Sequence, residues 1–218
     1  MSIATASSRR NAIEKSSDGA MRSESVLSAA TAMFAEHGFQ DTDVQDVADA
    51  ASVGKGTVYR LFPTKRALFL AAADRAMQLL HADVQAAVNP ADDPLNQIAC
   101  AIRAYLDFFA RHPDFVELLI QERAAFRDRA KPTYFLHREA NIGPWKQLFQ
   151  RLIAAGRVRD LSVDRITDVM SGLVYGTMFT NFFAGRRKSS ASQAEDIMDV
   201  VFCGILTPQE QAARRRRS

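Results

Sequence analysis

The sequence predicts an all-α fold, with a small helical domain at the N-terminus followed by a larger helical domain. Apolar residues recur every three or four positions along most of the chain, which is the spacing of amphipathic helices. Proline, glycine and capping residues divide this pattern into separate segments. No run of residues has the strict alternation of a β-strand, and no internal repeat occurs.

Length and composition indicate an ordinary globular protein. The chain has 218 residues, of which 47% are hydrophobic and 24% charged, so it can bury a core in one large domain or two small ones. The net charge of +3 arises entirely in the last twelve residues, since residues 1–82 carry nine bases and nine acids and residues 83–206 carry fifteen of each. Binding to a polyanion would therefore depend on a local patch and few phosphate contacts.

Targeting signals and a disulfide framework are not expected. Cys100 and Cys203 are far apart and form no CxxC motif, which fits a reducing cytoplasm and two buried packing residues better than a redox switch. The first nineteen residues lack an apolar core and do not resemble a signal peptide. The longest uncharged run, Val169–Gly185, contains polar residues and is too short to span a bilayer. We expect a cytoplasmic protein.

Four segments are predicted along the chain. Residues 1–20 are rich in Ser and Ala without periodicity and are expected to form a flexible arm. Residues 21–82 form the first domain, including a fourth helix that links it to the next, and residues 83–206 form the second domain. Residues 207–218 are expected to be a flexible basic tail.

The first domain begins with a helix near Arg22–His37, which Gly38 ends by adopting a positive φ. Thr42 and Gln45 have capping-box spacing and are expected to start the second helix. Ser52-Val53-Gly54 separates that helix from a short third one. Pro63 ends the third helix and Thr64 is expected to cap the fourth.

The third helix has one apolar and one polar face. Its apolar residues Val58, Leu61 and Phe62 point inward at helical spacing. The opposite face carries Lys55, Gly56, Thr57, Tyr59 and Arg60. Residues 41–49 contain four acids and no base, whereas residues 53–66 contain four bases and no acid. Short paired helices usually serve packing alone, but a purely structural surface would mix the charges, so the pattern favours a helix that enters the major groove of DNA.

At these residues the chain resembles the DNA-binding domain of TetR/AcrR-type transcriptional regulators. The resemblance runs from Arg22 to Leu80 and rests on VLSAATAMFAEHGF, ASVGKGTVYRLF and TKRALF. It implies a three-helix helix-turn-helix domain followed by a helical ligand-binding and dimerisation domain. The DNA-binding residues that it implies, together with Arg60 from the outward face, are Thr42, Lys55, Gly56, Thr57, Tyr59 and Lys65.

The turn between the second and third helices departs from the family pattern. The family usually has Gly-Val-Ser where this chain has Ser52-Val53-Gly54. We expect Ser52 to adopt a conformation that glycine adopts more easily. Gly54 lacks a hydroxyl that could cap the third helix.

The second domain is predicted to contain five helices. One starts at Pro94 and ends near Arg111, and another starts at Pro113. A long helix is expected at residues 134–155. Ser162 caps the next helix, and a capping box of Ser192 with Glu195 opens a last helix that runs to residue 206.

Ten of the fourteen phenylalanines follow residue 100. Each one is most simply a core residue, but together they suit an apolar cavity for an aromatic or amphipathic ligand, which the family resemblance also implies. The candidate ligand-binding residues are Phe109, Arg123, Phe126, His137, Trp145, Phe149, Tyr175 and Phe179. Arg123 could equally form a surface ion pair with Asp128 or Glu122.

The last two helices are predicted to form a homodimer. Gly172 and Gly176 permit close helix approach, and the final helix contributes Val201, Phe202 and Ile205. The alternative for these residues is a contact within one chain. The resemblance implies a four-helix bundle between two subunits, which places two recognition helices about one turn of B-DNA apart.

The sequence therefore predicts a ligand-responsive transcriptional regulator, acting as a repressor that binds a pseudo-palindromic operator as a homodimer and is released by a small apolar or aromatic effector. A ligand-independent architectural DNA-binding protein is the alternative, although it would not need the aromatic second domain. An enzyme is not expected, because Gly54-Lys55-Gly56-Thr57 lacks phosphate-loop spacing and the four histidines lack metal-ligand spacing. No cofactor or metal is implied.

Overall fold

A computed structural model describes residues 4–185 and 188–204, with side chains from residue 19 onward. Within these ranges the chain forms ten α-helices and no strand, which confirms the predicted all-α fold. The helices are α1 (Ala4–Asp41), α2 (Val44–Ala50), α3 (Lys55–Leu61), α4 (Lys65–Ala87), α5 (Pro94–Arg111), α6 (Pro113–Ala125), α7 (Thr133–Asn141), α8 (Gly143–Ala154), α9 (Val163–Ala184) and α10 (Ser190–Phe202).

The chain divides into two compact units. Among the described residues, the first unit comprises those up to Leu79 together with His112–Arg138, and the second comprises Leu80–Arg111 and those from Glu139 onward. This division lies three residues from the predicted boundary at 82, but it groups residues 112–138 with the N-terminal helices. The reason is tertiary packing: Leu118 and Phe126, at α6, are buried in the same core as α1 to α4.

The core of the first unit joins α1, α2, α3, α4 and α6. Phe34 and Phe69 are fully buried in it, and their rings meet edge to face at 5.0 Å between centroids. The Gln121 side chain on α6 donates a hydrogen bond to the carbonyl oxygen of Phe34 (2.8 Å). The buried hydrophobic residues are Val26, Ala30, Phe34, Val44, Val47, Ala48, Ala51, Val58, Leu68, Phe69, Ala72, Leu118 and Phe126.

The first helix is longer than predicted. It begins at Ala4 rather than near Arg22, so the backbone of residues 4–20 is helical where the sequence predicted a flexible arm. That segment lacks apolar periodicity, but it contains no proline, and helix can extend through it from the packed part of α1. The predicted positive φ at Gly38 is confirmed, with φ 81° and ψ 162°.

The second unit packs α5, α8, α9 and α10 around a separate core. Pro94 and Pro113 occupy the first positions of α5 and α6, as predicted, because their missing amide protons lie where a helix leaves amides unpaired. The buried members of this core are Ile98, Ile102, Leu106, Leu148, Phe149, Leu152, Met170, Val174, Ala194 and Ile197.

Two predicted helices need correction. The long helix at 134–155 is divided into α7 and α8 around Ile142, because Pro144 lies in the first turn of α8 and cannot continue a preceding helix. The last helix is capped by Ser189, whose hydroxyl accepts from the Ser192 amide at 3.2 Å, rather than by Ser192 with Glu195. The end of the predicted helix, and the predicted tail at 207–218, lie outside the described residues.

The positive φ of Ser52 yields a stability prediction. Ser52 has φ 55°, and no other non-glycine residue in the described part of the chain has a positive φ. Ser52→Val should lower the free energy of unfolding by about 1–3 kcal/mol, because a β-branched side chain is strained in this conformation. The measurement is chemical denaturation of both proteins. Ser28→Val, the same change at an exposed helical residue, is the matched control and should stay within about 0.5 kcal/mol of the unsubstituted protein.

Candidate nucleic-acid interface

The short helices α2 and α3 are held by one shared core. Val44, Val47 and Ala48 are buried on α2, and Val58 is fully buried on α3. The turn between the helices is closed by a hydrogen bond from the Val53 amide to the Ala48 carbonyl oxygen (2.9 Å). The left-handed conformation expected at Ser52 is confirmed.

The burial of Val58 fixes which face of α3 is exposed. Tyr59 is 41% exposed, Gly56 and Arg60 are exposed, and Lys55 and Thr57 are partly exposed. This is the outward face that the sequence predicted. Gly54 is the N-cap of α3 and makes no side-chain capping hydrogen bond, as expected for glycine.

Thr42 lies at the start of the motif but points inward. It is buried, and its hydroxyl donates to the carbonyl oxygen of Gly38 (2.7 Å), with that of Met33 at 3.1 Å. Its amide also donates to the Gly38 carbonyl oxygen, at 3.2 Å. A phosphate contact through Thr42 therefore requires one of these donors to change its acceptor.

The residue that caps α2 is Asp43, not Thr42. One carboxylate oxygen of Asp43, Oδ1, accepts from the Gln45 amide (2.8 Å), so the predicted capping box of Thr42 with Gln45 is wrong. The sequence contained the necessary signal, because Asp is as good an N-cap as Thr and lies directly before the helix. The hydroxyl of Thr42 does not cap α2 because it donates instead to the carbonyl oxygen of Gly38.

Asp43 also forms an ion pair with Lys55. The Lys55 ammonium donates to the same oxygen, Oδ1, at 3.0 Å, and neither side chain is buried. Two hydrogen bonds lower the pKa of Asp43. The larger effect comes from the backbone amide of Gln45, and the next comes from the side-chain ammonium of Lys55. The hydrogen bond with Asp43 raises the pKa of Lys55. Both groups therefore remain charged at neutral pH.

Lys65 lies where the end of α1 meets the start of α4. Its ammonium donates to the carbonyl oxygen of Gln40 (2.8 Å) and lies 5.1 Å from the centroid of the Phe39 ring. Thr64 caps α4 as predicted, since its hydroxyl accepts from the Ala67 amide (3.0 Å). The lysine that the family resemblance assigns to phosphate is thus held near the motif by α1.

The neighbouring Arg66 was not predicted to have a specific role. Its guanidinium pairs with Asp128 (2.6 Å) and lies 4.8 Å from the centroid of the Phe126 ring. Phe126 in turn packs edge to face against Phe39 (4.7 Å) and Phe69 (5.3 Å). The segment after α6 therefore supports the region from which Lys65 and Arg66 extend.

Glu122 organises the same segment from inside. Its carboxylate is 1% exposed, and Oε1 accepts from both the amide and the hydroxyl of Thr133, each at 2.9 Å. Arg129 lies 3.2 Å from that oxygen. The two acids considered as partners of Arg123 thus pair with other arginines, Asp128 with Arg66 and Glu122 with Arg129, and Arg123 is exposed.

The predicted ligand-binding residues fall in both units. Arg123, Phe126 and His137 belong to the first unit, where the His137 ring nitrogen Nε2 lies 2.6 Å from Asp74. The five in the second unit are Phe109, Trp145, Phe149, Tyr175 and Phe179.

Within the second unit these aromatic residues differ in exposure. Phe109 and Phe149 are buried. Tyr175 and Phe179 are partly exposed and pack edge to face at 4.8 Å. Burial raises the pKa of Tyr175, so its hydroxyl is protonated at neutral pH.

The predicted dimer residues also differ in exposure. Gly172 and Gly176 are exposed, and a Cβ atom on either would meet nothing within 4 Å. Val201 and Phe202 are partly buried against the core of the second unit, which favours the alternative of a contact within the chain. Ile205 lies outside the described residues.

Among the described residues, no group of three or more His, Cys, Asp or Glu side chains is arranged to hold a metal ion. No helix in the described part of the chain combines the length and apolarity needed to cross a membrane.

The fold and the exposed face of α3 define a helix-turn-helix protein of the DNA-binding class. Comparison with known proteins agrees. Residues 26–72 match the family described as "Bacterial regulatory proteins, tetR family". The N-terminal part of the chain is therefore similar to a family of transcriptional regulators, which are not enzymes.

Individual relatives are distant. YerO of Bacillus subtilis (strain 168), an uncharacterized HTH-type transcriptional regulator, is 24% identical over 186 residues, which cover 79% of this chain but only 60% of YerO. The HTH-type transcriptional repressor KstR2 of Mycolicibacterium smegmatis is 27% identical over 154 residues, covering 69% of this chain and 74% of KstR2. The fold is also similar to that of the transcriptional regulator FadR from Bacillus subtilis in complex with stearoyl-CoA, with a TM-score of 0.71, 15% identity, and coverage of 84% of this chain and 99% of FadR.

The packing of Phe126 gives a prediction that separates a core role from a ligand-contact role. Phe126→Ala should lower the free energy of unfolding by about 3–5 kcal/mol, because the side chain is 4% exposed and its removal leaves a cavity. Denaturant titration of the purified protein measures this loss. Phe135→Ala in the same unit, where the side chain is 38% exposed, is the control and should cost less than half as much. Equal losses for the two variants would contradict the core role.

Proposed function

We propose that this protein is a ligand-responsive transcriptional repressor that binds a pseudo-palindromic operator as a homodimer. The observation that carries the proposal is the exposed face of α3, where Lys55, Tyr59 and Arg60 lie opposite the fully buried Val58. A helix of this kind presents side chains to base edges while its other face is anchored in the protein.

The proposed contacts are of two kinds: phosphate contacts that position the protein on DNA, and base contacts that recognise the sequence. Lys65 extends from the start of α4 and would contact phosphate, which sets the register of the protein without carrying sequence information. Tyr59 would also reach the backbone, as the family resemblance implies. Arg60, which is exposed in the last turn of α3, is the residue best suited to guanine, whose major-groove edge accepts two hydrogen bonds from a guanidinium.

The exposed face of α9 supports the homodimer. Val169, Leu173 and Phe183 are 52%, 39% and 70% exposed, although each is a large apolar side chain. With Gly172 and Gly176 they follow helical spacing along one side of the helix. A second copy of the same face would cover this apolar stripe, and the glycines would permit close approach of the two helices.

The effector is proposed to be apolar or aromatic. The second unit supplies partly exposed Tyr175 and Phe179 beside a core of aromatic and aliphatic residues. The similarity in fold to FadR, whose structure contains stearoyl-CoA, supports an effector with an apolar portion. Effector and operator would each weaken the binding of the other by the same factor, because coupling between two binding sites is reciprocal.

The proposed contacts predict different effects on sequence preference for two basic residues. Lys65→Ala should weaken binding to every duplex by a similar factor and reduce the salt slope by about 1, because it removes a phosphate contact. Arg60→Ala should cost about 1–3 kcal/mol on the preferred duplex and relax the preference at one base pair of each half-site. Both are measured by fluorescence anisotropy on a duplex selected from a random pool by the full-length protein. Equal binding of the unsubstituted protein to selected and random duplexes would contradict the regulator and favour an architectural DNA-binding protein.

The homodimer is tested on the α9 stripe. Leu173→Glu should convert the dimer to monomers and weaken operator binding by at least tenfold, because a charge would be buried where two copies meet. Sedimentation equilibrium gives the mass and anisotropy gives the affinity. Gln150→Glu, at an exposed polar residue of α8 outside this stripe, is the comparison for a negative charge added to the second unit. A Leu173→Glu protein that remains dimeric would exclude this face as the interface.

A further inference from the structure

The carboxylate of Asp43 lies between α2 and α3 and serves two partners at once. Its Oδ1 atom accepts from the Gln45 amide at 2.8 Å and from the Lys55 ammonium at 3.0 Å. The cap is a local interaction that fixes the carboxylate whether or not Lys55 is present. The acceptor for Lys55 is therefore held in place in advance, and the flexible lysine is drawn toward the start of α2.

The pair changes what Lys55 contributes to DNA binding. A lysine favours non-specific binding by neutralising a phosphate and releasing counterions. While Lys55 is paired with Asp43, the two together carry no net charge. Asp46 is the other acid near Lys55, and Lys65 is the other base near Asp43, so the pair lies within the charge-segregated motif.

The pair is also weak enough to be exchanged. The side chains of Lys55 and Asp43 are 40% and 60% exposed. An ion pair between side chains that water can reach is only slightly more favourable than the two separated charges. A phosphate held at hydrogen-bond distance by the rest of the interface could therefore take the place of the carboxylate. A phosphate that is only loosely or wrongly placed could not.

We propose that Asp43 is a specificity-determining residue, which holds Lys55 against α2 on non-operator DNA and releases it where the operator backbone places a phosphate correctly. This inference rests on the proposed function, since Lys55 is taken to contact DNA. Asp43 is a positioning residue that acts through Lys55. Its effect is to lower affinity for the wrong DNA rather than to raise affinity for the right one.

A simpler mechanism must be separated from this one. The negative charge of Asp43 would repel any phosphate directly, with or without Lys55. Under direct repulsion, removing the charge strengthens binding equally whether or not Lys55 is present. Under the proposed mechanism, the gain depends on Lys55.

The test is a double-mutant cycle in the full-length protein, with Asp43→Asn, Lys55→Gln and the two combined. Asparagine keeps the capping oxygen and removes the charge, so thermal unfolding should change little. The probes are a random-sequence duplex of about 30 base pairs, chosen to exceed the two half-sites of a dimer, and the tightest duplex that the unsubstituted protein selects from a random pool. Asp41→Asn, which removes an exposed acid two residues away, is the matched control.

Asp43→Asn should bind the random duplex about three to ten times more tightly and steepen its salt slope by about 0.9, the effect of one further phosphate contact. The gain on the selected duplex should be smaller, so the ratio of specific to non-specific affinity falls. In the Lys55→Gln background, Asp43→Asn should give no such gain. Asp41→Asn should leave the ratio as it is.

Three results would overturn the inference: no gain from Asp43→Asn, an equal gain in the Lys55→Gln background, or an equal gain from Asp41→Asn. In each case the unsubstituted protein would still prefer the selected duplex, and the proposed function would stand. If the unsubstituted protein itself shows no preference for any duplex, the proposed function fails and the inference fails with it.

Discussion

The burial of Val58 is the constraint on which the proposed interface depends. The helix that carries it, α3, has only seven residues, and a helix of that length is not stable in water by itself. Its existence and its orientation both come from packing against α1, α2 and α4, where Val58 lies among Val47, Phe34 and Phe69 in one core. Because the apolar face is fixed, the polar face can point only outward.

The edge of the motif is more internally paired than its composition suggests. Lys55 is bound to Asp43, Lys65 to the Gln40 carbonyl, and Arg66 to Asp128. Because these basic side chains already have partners within the first unit, they should attract DNA only weakly at long range. Tight binding would require DNA phosphates to replace several of these partners together. This fits the equal numbers of acids and bases in residues 1–82. It also agrees with a protein that must bind one DNA site more tightly than many similar DNA sites.

The parts of the fold that sequence could predict are those set by local backbone chemistry. The positive φ values at Gly38 and Ser52, the cap at Thr64, and the helix starts at Pro94 and Pro113 each follow from the residue and its immediate neighbours. The outward face of α3 follows from spacing alone. These predictions are confirmed because no distant contact competes with them.

The parts that sequence could not predict depend on partners distant in the chain. The apolar spacing of α6 does not indicate that Leu118 and Phe126 pack with the N-terminal helices. It also does not indicate that Phe126 contacts Arg66. Thr42 and Asp43 are both good caps, and the choice between them is made by the carbonyl of Gly38, which occupies the Thr42 hydroxyl. The DNA, effector and dimer contacts belong to molecules that the chain does not contain, so they remain proposals.

The central claim is that α3 enters the major groove of DNA in two copies. Methylation protection at guanine N7 tests it most directly, because this atom lies in the major groove. On a duplex selected by the full-length protein, the account predicts two protected clusters with centres about 10 base pairs apart, on the same side of the helix. A single cluster, or binding that leaves every guanine N7 open to methylation, would contradict it.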